Sequence, residues 1–332
     1  MSPTQFSQLD ETLLAKRKLL TEQLARMQSV LVAYSGGVDS SVLAYYARQV
    51  LGPKAKIVIA LSPSLAQSEL DAARHQARQF DFDLIEINTD EVGLDAYRRN
   101  DGMRCFFCKS TLFEHLHQIK EELSINAIAY GANMDDLSDE RPGHKAAAKY
   151  NVEAPLLQCG LYKTEIRALA EAAGLPSFDR PQAACLSSRF PKNVYIDPAR
   201  LAIVDRAEEA VRALGFKQVR VRYRLGDATR RQTGVQKYDG TIPFLDADHR
   251  VSASVEIGEE ELLALKQHPE KAALIEEKLT AIGFDSVHID EHGYRQGGAD
   301  KHVTVSPASA GVFVEISAGA LDDDTSGGVG HG

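Results

Sequence analysis

The chain has 332 residues, 44% hydrophobic and 26% charged, which supplies an ordinary apolar core and a length that favours two domains. No apolar run approaches membrane-spanning length and the polar opening lacks the charged-then-apolar layout of a secretory signal, so a cytoplasmic location without membrane contact is expected. The formal charge of −9 argues against general nucleic-acid binding, and four cysteines are too sparse for a disulfide framework, which leaves metal ligation or catalysis for a clustered pair.

Taken in chain order, residues 30–34 (VLVAY) form a short β-rich run that enters a glycine turn, and the stretch that follows carries helical spacing. Further buried strands are expected at 56–61, 82–87 and 126–131, with helices near 67–80 and 106–122 between them. Such alternation implies a parallel sheet covered by helices on both faces, with ligands at the carboxyl ends of its strands. A helix over 163–176, closed by Gly174 and Pro176, leads into an irregular segment, and a domain boundary falls near residue 192. Beyond it, a helix near 198–214, strands at 217–224 and 252–257, a helix near 258–281 and a strand at 285–290 describe a small α+β domain over 193–300. The glycine-rich, polar 301–332 is expected to be a partly disordered tail.

The stretch AYSGGVDSS (33–41) carries the clearest chemistry. Gly36 and Gly37 admit backbone angles closed to other residues, so successive N–H groups can turn inward as an anion nest. The following helix adds its positive N-terminal end, and Ser35, Ser40 and Ser41 add hydroxyls, which makes a seat for a polyphosphate. A plain glycine turn capped by Asp39 or Ser40 is the simpler alternative, and the G-K-[ST] ending of a Walker A loop is missing.

RCFFCK (104–109) places Cys105 and Cys108 three apart near the start of a helix, beside Arg104 and Lys109, where dipole and charge favour thiolate. Spacing leaves open a zinc half-site, a dithiol, or a set completed by a distant third cysteine; His115 and His117 lie outside the usual spacing of a zinc module. Cys159 reads as a small, partly buried residue. In QVRVRYR, Arg220 and Arg222 share one face of a strand, as either a charged edge or an anion site.

The order S-G-G-x-D-S directly after the first strand resembles the PP-loop ATP pyrophosphatases. That resemblance implies an α/β fold (adenine nucleotide alpha hydrolase-like) with a parallel five-stranded sheet, and an enzyme that uses ATP and Mg²⁺, transfers AMP to a substrate oxygen and releases pyrophosphate. It makes Asp39, Asp135 of GANMDD, and Lys163 and Arg167 of KTEIR candidates for metal or phosphate contacts. Within the superfamily, NDGMRCFFCKSTLF, GANMDDLSDERPGHKAA, PQAACLSSRFP, VRVRYR and GFDSVHIDEHGYRQGG, in this order over residues 12 to 300, look like the LarE family of ATP-dependent sulfur transferases.

Membership would imply adenylation of the carboxylates of a pyridinium-3,5-biscarboxylic acid mononucleotide and their conversion to thiocarboxylates, in the biosynthesis of the nickel-pincer nucleotide cofactor. One branch of the family sacrifices the sulfur of the cysteine that is Cys185 here. The other holds a [4Fe-4S] cluster on three cysteines, here Cys105, Cys108 and Cys185, and leaves one iron open for a sulfide supplied by a sulfide or persulfide donor. Substrate phosphate would fall to Arg220, Arg222 and Arg295, and a homo-oligomer is expected. Between the VRVRYR strand and residue 252 the chain departs from the family pattern through a polar insertion at 226–250. The competing readings are a transfer-RNA thiolation enzyme, which the acidic charge disfavours, and a nitrogen-transferring PP-loop ligase, which leaves the cysteines without a role.

Overall fold

The computed structural model describes residues 9–138, 142–181, 184–225 and 250–294, so the 226–249 stretch, Arg295 and the tail lie outside the described residues. Its first half runs α1 (Glu11–Met27), β1 (Val30–Tyr34), α2 (Val38–Leu51), β2 (Ala55–Leu61), α3 (Gln67–Gln79) and β3 (Leu84–Asn88). The single turn α4 (Asp95–Arg98), α5 (Arg104–Glu122), β4 (Ala127–Tyr130), α6 (Pro142–Lys149), the single turn α7 (Pro155–Gln158) and α8 (Lys163–Ala172) complete it. Helix α1, absent from the sequence reading, starts where the Asp10 carboxylate accepts the Leu13 N–H at 2.7 Å. Its buried stripe of Leu13, Leu20 and Leu24 is diluted by lysine, arginine and glutamine, which hides the helical period.

The strands pair in parallel in the order β3-β2-β1-β4. This sheet has four described strands rather than the expected five. On the far side of β4, Glu153 makes only an isolated bridge, donating to the Ile128 carbonyl at 2.8 Å and accepting from the Tyr130 N–H at 3.0 Å. Pro155, two residues on, opens α7 and removes the N–H that a longer ladder would need.

Side-chain alternation splits β1 and β2 between two cores. Val30, Val32, Tyr34, Ala55, Ile57 and Ile59 pack with α1, α2, α3 and α8, whereas Leu31 and Val58 pack with Phe113 and Leu116 of α5 and Ala146 and Ala147 of α6. Both faces are thus covered by helices. The chain proceeds outward from β1 to β3 and then returns to lay β4 on the other side of β1, so the order reverses between β1 and β4. The carboxyl ends of those two strands form the crevice in which such sheets hold ligands. No helix among the described residues is long and apolar enough to cross a membrane.

The second unit contains α9 (Pro198–Arg212), β5 (Val219–Leu225), β6 (Val251–Ile257), α10 (Glu259–Gln267), α11 (Pro269–Ile282) and β7 (Ser286–Ile289). One helix was expected over 258–281; Pro269 breaks it, with His268 between the pieces outside helical geometry. The sheet, ordered β5-β6-β7, turns Val219, Val221, Tyr223, Ala253, Val255 and Ile257 into a core with Leu201, Val204, Ile275 and Leu279. That core also takes in Ala66, Val92 and Tyr97 from the first half and Leu186 and Phe190 from the turn between the units.

Gly131 ends β4 against the start of α2, and a Cβ there would lie 2.7 Å from the Ser40 nitrogen and 2.9 Å from the Asp39 carbonyl carbon. Both obstacles are backbone, so Gly131→Ala is expected to destabilise by about 1–3 kcal/mol. A denaturant midpoint equal to that of the unaltered protein would contradict this close approach.

Candidate active site

The loop between β1 and α2 is built by glycine and closed by serine. Gly36 has φ +76°, and a Cβ on it would meet the Ala73 Cβ at 2.9 Å, so backbone angle and space both require glycine. The Ser40 hydroxyl accepts the Ser35 N–H at 3.2 Å, donates to the Gly37 carbonyl at 3.0 Å and stands 3.2 Å from the Ser35 hydroxyl. A cavity of about 210 Å³ opens beside the loop, lined by Ser35, Gly37, Asp39, Ser40, Tyr130 and Lys109 among others. Ser41 does not face it. Its fully buried hydroxyl donates to the Gly37 carbonyl at 2.8 Å and accepts from Gln76 of α3 at 2.7 Å, so it ties two helices together, whereas Ser35 and Ser40 line the cavity.

Asp39, Asp135 and Lys163 meet at one end of this cavity's loop. The Lys163 ammonium pairs with Asp39, and the Lys163 backbone N–H donates to Asp135 Oδ2 at 2.6 Å. Asn133 joins them, donating to Asp39 Oδ1 at 3.3 Å and accepting the Asp135 N–H at 2.9 Å. Burial raises the Asp39 carboxyl above the usual carboxylate range, against the opposing pull of Lys163. Oxygen donors of this kind suit Mg²⁺, and an anionic nucleotide would compete with Asp39 for Lys163. Arg167 is elsewhere: its guanidinium donates to the carbonyls of Phe178 and Arg180, so it ties the irregular 178–181 segment to α8 and does not point at the loop.

The three cysteines of interest are near enough for Cys108 to feel the charges of both Cys185 and Cys105. Cys105 and Cys108 lie in the first two turns of α5, and Cys185 precedes the 3₁₀ turn Leu186–Arg189; Cys105 and Cys185 are exposed and Cys108 is half-buried. Arg104 stands between them, donating to the Ser187 carbonyl at 2.9 Å and hydrogen-bonded to Cys105. Burial alone would lower the Arg104 pKa, but negative charge on Cys185 and Cys105 outweighs it and raises it. Cys108 goes the other way: burial pushes its thiol well up, and the charges of Glu91, Cys185 and Cys105 add to this. Glu91, nearly fully buried, accepts from the hydroxyls of Ser62 and, at 3.1 Å, Ser64.

Three neighbouring soft thiolates are the donor set an iron–sulfur cluster selects. Among the described residues, however, no three His, Cys, Asp or Glu side chains are drawn together around a common ion position. His115 and His117 are engaged by the Thr111 and Tyr150 carbonyls, each at 2.8 Å. Cys159 packs in the core of α1, α2 and α8, with its sulfur 3.3 Å from Gln23 Oε1.

Arg220 and Arg222 lie on one face of β5, as period two requires, and that face is buried against the Leu186–Arg189 turn. Arg222 grips Glu256 of β6 at 2.8 and 3.0 Å and donates to the Ser188 carbonyl at 3.0 Å. Arg220 lies over the Tyr294 ring at 5.4 Å; burial and the nearby Arg189 charge lower its pKa. Two residues outside the sequence reading organise this face. Glu208 of α9 is fully buried, grips Arg189 at 2.8 and 3.1 Å, accepts from Arg212 at 2.7 Å and satisfies the Val221 N–H on the open edge of β5. Arg189 also holds the carbonyls of Ala184, at 2.7 Å, and Cys185, at 3.0 Å. The signal for Arg189 was its place in CLSSR; an interior glutamate in an amphipathic helix carries none.

Burial would raise the Glu208 carboxyl, but Arg189 and the other guanidinium groups outweigh it and leave its pKa lowered from 4.5. A lowered native value means stabilisation that is complete above the unfolded pKa and lost as pH falls through the native one. Glu208→Gln is therefore expected to cost about 3 kcal/mol near neutral pH, and to flatten the loss of stability below about pH 4.5. An unchanged acid slope in the variant would contradict the pairing. In cluster-free protein, iodoacetamide is expected to modify Cys105 and Cys185 well before Cys108 and Cys159; peptide mapping showing Cys108 first would contradict the burial order.

A family model described as NAD synthase matches residues 13–101, the part of the chain that holds the phosphate loop. An uncharacterised protein of Synechocystis is 40% identical over 208 residues, covering 63% of this chain and 78% of that protein. The pyridinium-3,5-bisthiocarboxylic acid mononucleotide synthase of Lactiplantibacillus plantarum is 27% identical over 294 residues, covering 88% of this chain and 96% of the synthase. An uncharacterised protein of Methanocaldococcus jannaschii is 27% identical over 209 residues, with 63% and 79% covered. With a glycine-built loop at the sheet's reversal point, three neighbouring cysteines and these relatives, the chain belongs to the LarE family of the PP-loop ATP pyrophosphatase superfamily.

Proposed function

We propose that the protein is an ATP-dependent sulfur transferase that adenylates the carboxylates of pyridinium-3,5-biscarboxylic acid mononucleotide, releases pyrophosphate and replaces the AMP oxygen with sulfur, as a step in nickel-pincer cofactor biosynthesis. The observation that carries this reading is the layout of α5, whose first two turns hold Cys105 and Cys108 near Cys185 while Lys109 lines the cavity beside the glycine loop.

The chemistry needs two activations. A carboxylate repels an incoming thiolate and has no good leaving group; esterified to AMP it loses its charge and gains one. ATP seated on Ser35, Gly36, Gly37 and Ser40 would direct pyrophosphate toward the Asp39, Asp135 and Lys163 end, where Mg²⁺ and the ammonium neutralise it. Arg220 and Arg222, beside the cysteine turn, are suited to the phosphate of the pyridinium nucleotide. Sulfur then attacks the acyl carbon and AMP departs.

If Cys185 is the nucleophile, its thiolate forms a thioester. Loss of the Cys185 α-proton with cleavage of the Cβ–Sγ bond leaves dehydroalanine on the chain and a thiocarboxylate on the product. A [4Fe-4S] cluster on Cys105, Cys108 and Cys185 would instead present an open iron for a sulfide delivered by a donor protein. Arg104, hydrogen-bonded to Cys105, would serve either route by holding a cation beside the sulfurs.

The test is pyrophosphate release with and without the biscarboxylated pyridinium nucleotide, on unaltered and Cys185→Ala protein. Release is expected to depend on that substrate in both proteins, and thiocarboxylate formation to fall at least about 100-fold in the variant, by nearly 3 kcal/mol of barrier. Thiocarboxylate formation that survives Cys185→Ala would contradict the assignment. Intact mass after turnover separates the sulfur sources: loss of one H₂S marks sacrifice of Cys185, and an unchanged mass with bound iron and sulfide marks a carrier.

A further inference from the structure

The cavity side of α5 joins two places that sulfur transfer needs side by side. Cys105 and Cys108 occupy its first two turns, and Lys109 is the next residue. Among the described residues lining the cavity at the phosphate loop, Lys109 is the one cation. Two neighbours set its position. Its Nζ stands 4.8 Å from the centre of the Tyr130 ring, whose hydroxyl is 3.0 Å from His144 Nδ1. Its stem runs against Gly143 of α6, where a Cβ would come within 2.8 Å of Cδ and 2.9 Å of Cε and Nζ. A lysine packed between an aromatic face and a glycine surface is placed in advance, with less side-chain freedom to lose when an anion binds.

The order of phosphates in the cavity follows from the reaction. Sulfur attacks a carbon joined through a single oxygen to the α-phosphorus, so the α-phosphate has to face the thiols of α5. The β- and γ-phosphates then point toward the loop and the Asp39–Lys163 end. On this basis, which rests on the sulfur-transfer reading above, we infer that Lys109 binds the α-phosphate and stabilises AMP as it leaves. In that step the C–S bond forms from a sulfur lone pair, the C–O bond to the phosphate breaks, and its electron pair stays on the AMP oxygen. The phosphate thereby gains one negative charge, beside the ammonium that can stabilise it.

Calorimetric titration of the full chain with adenosine, AMP and pyrophosphate tests this without the pyridinium substrate. The unaltered protein is expected to bind AMP more tightly than adenosine. Lys109→Met should narrow that gap by about tenfold or more, with adenosine and pyrophosphate binding held within about twofold. Gly143→Ala, which displaces the lysine stem with its charge intact, should narrow the gap by about threefold, which separates lost positioning from a misfolded variant. An AMP–adenosine gap unchanged by Lys109→Met, or a fall in pyrophosphate affinity larger than that for AMP, overturns the inference. Failure of the sulfur-transfer reading looks different: pyrophosphate release would be indifferent to the pyridinium nucleotide while AMP binding still depended on Lys109.

Discussion

The buried pair of Arg189 and Glu208 is the interaction on which the site depends. Removing two charges from water is expensive, and such a pair is tolerated only where geometry and further hydrogen bonds saturate both groups. Here two parallel hydrogen bonds join the pair, and both partners also hold backbone: Arg189 the carbonyls of Ala184 and Cys185, Glu208 the Val221 N–H, with Arg212 as a further donor to Glu208. A helix, the edge strand of the second sheet and the cysteine-bearing turn are thereby fixed to one another. Apolar residues of the same volume would fill the space, but they would leave the backbone on either side of Cys185 without its anchors.

A second set of contacts fixes the same turn from the first half. The Leu186 N–H donates to the Ser64 carbonyl at 2.8 Å, Arg104 reaches the Ser187 carbonyl, and the Tyr97 and Ser187 hydroxyls meet at 2.5 Å. Cys185 is thus exposed while the residues around it are held, the condition a nucleophile or ligand needs. Electrostatics divides the labour along α5. Arg104 and Lys109 bracket the cysteine pair, one toward the sulfurs and one toward the nucleotide cavity, and the apolar surroundings of Cys108 discourage its ionisation before a ligand arrives.

Much of this was legible in the sequence, for identifiable reasons. The β1 run VLVAY and its glycine turn announced themselves because strand, nest and helix start are consecutive in the chain. The α/β alternation followed from period. What stayed hidden depends on contacts across long separations. Ser41 reads like Ser40 until α3 supplies Gln76, and Arg167 reads as a phosphate ligand until the 178–180 carbonyls are found to occupy it. That the described residues form four strands rather than five turns on Pro155, whose effect at the sheet edge could not be weighed before Glu153 was known to lie beside β4. Glu208 and Lys109 fall in the same class, since burial and cavity lining are properties of the assembled fold.

The central claim is that a carboxylate oxygen leaves with AMP and sulfur takes its place. Substrate labelled with oxygen-18 in its carboxylates tests this most directly, through mass analysis of both products. The account predicts one labelled oxygen in the AMP phosphate, none in pyrophosphate, and a thiocarboxylate that retains the other. Label absent from AMP, or a product that keeps both carboxylate oxygens, would contradict it.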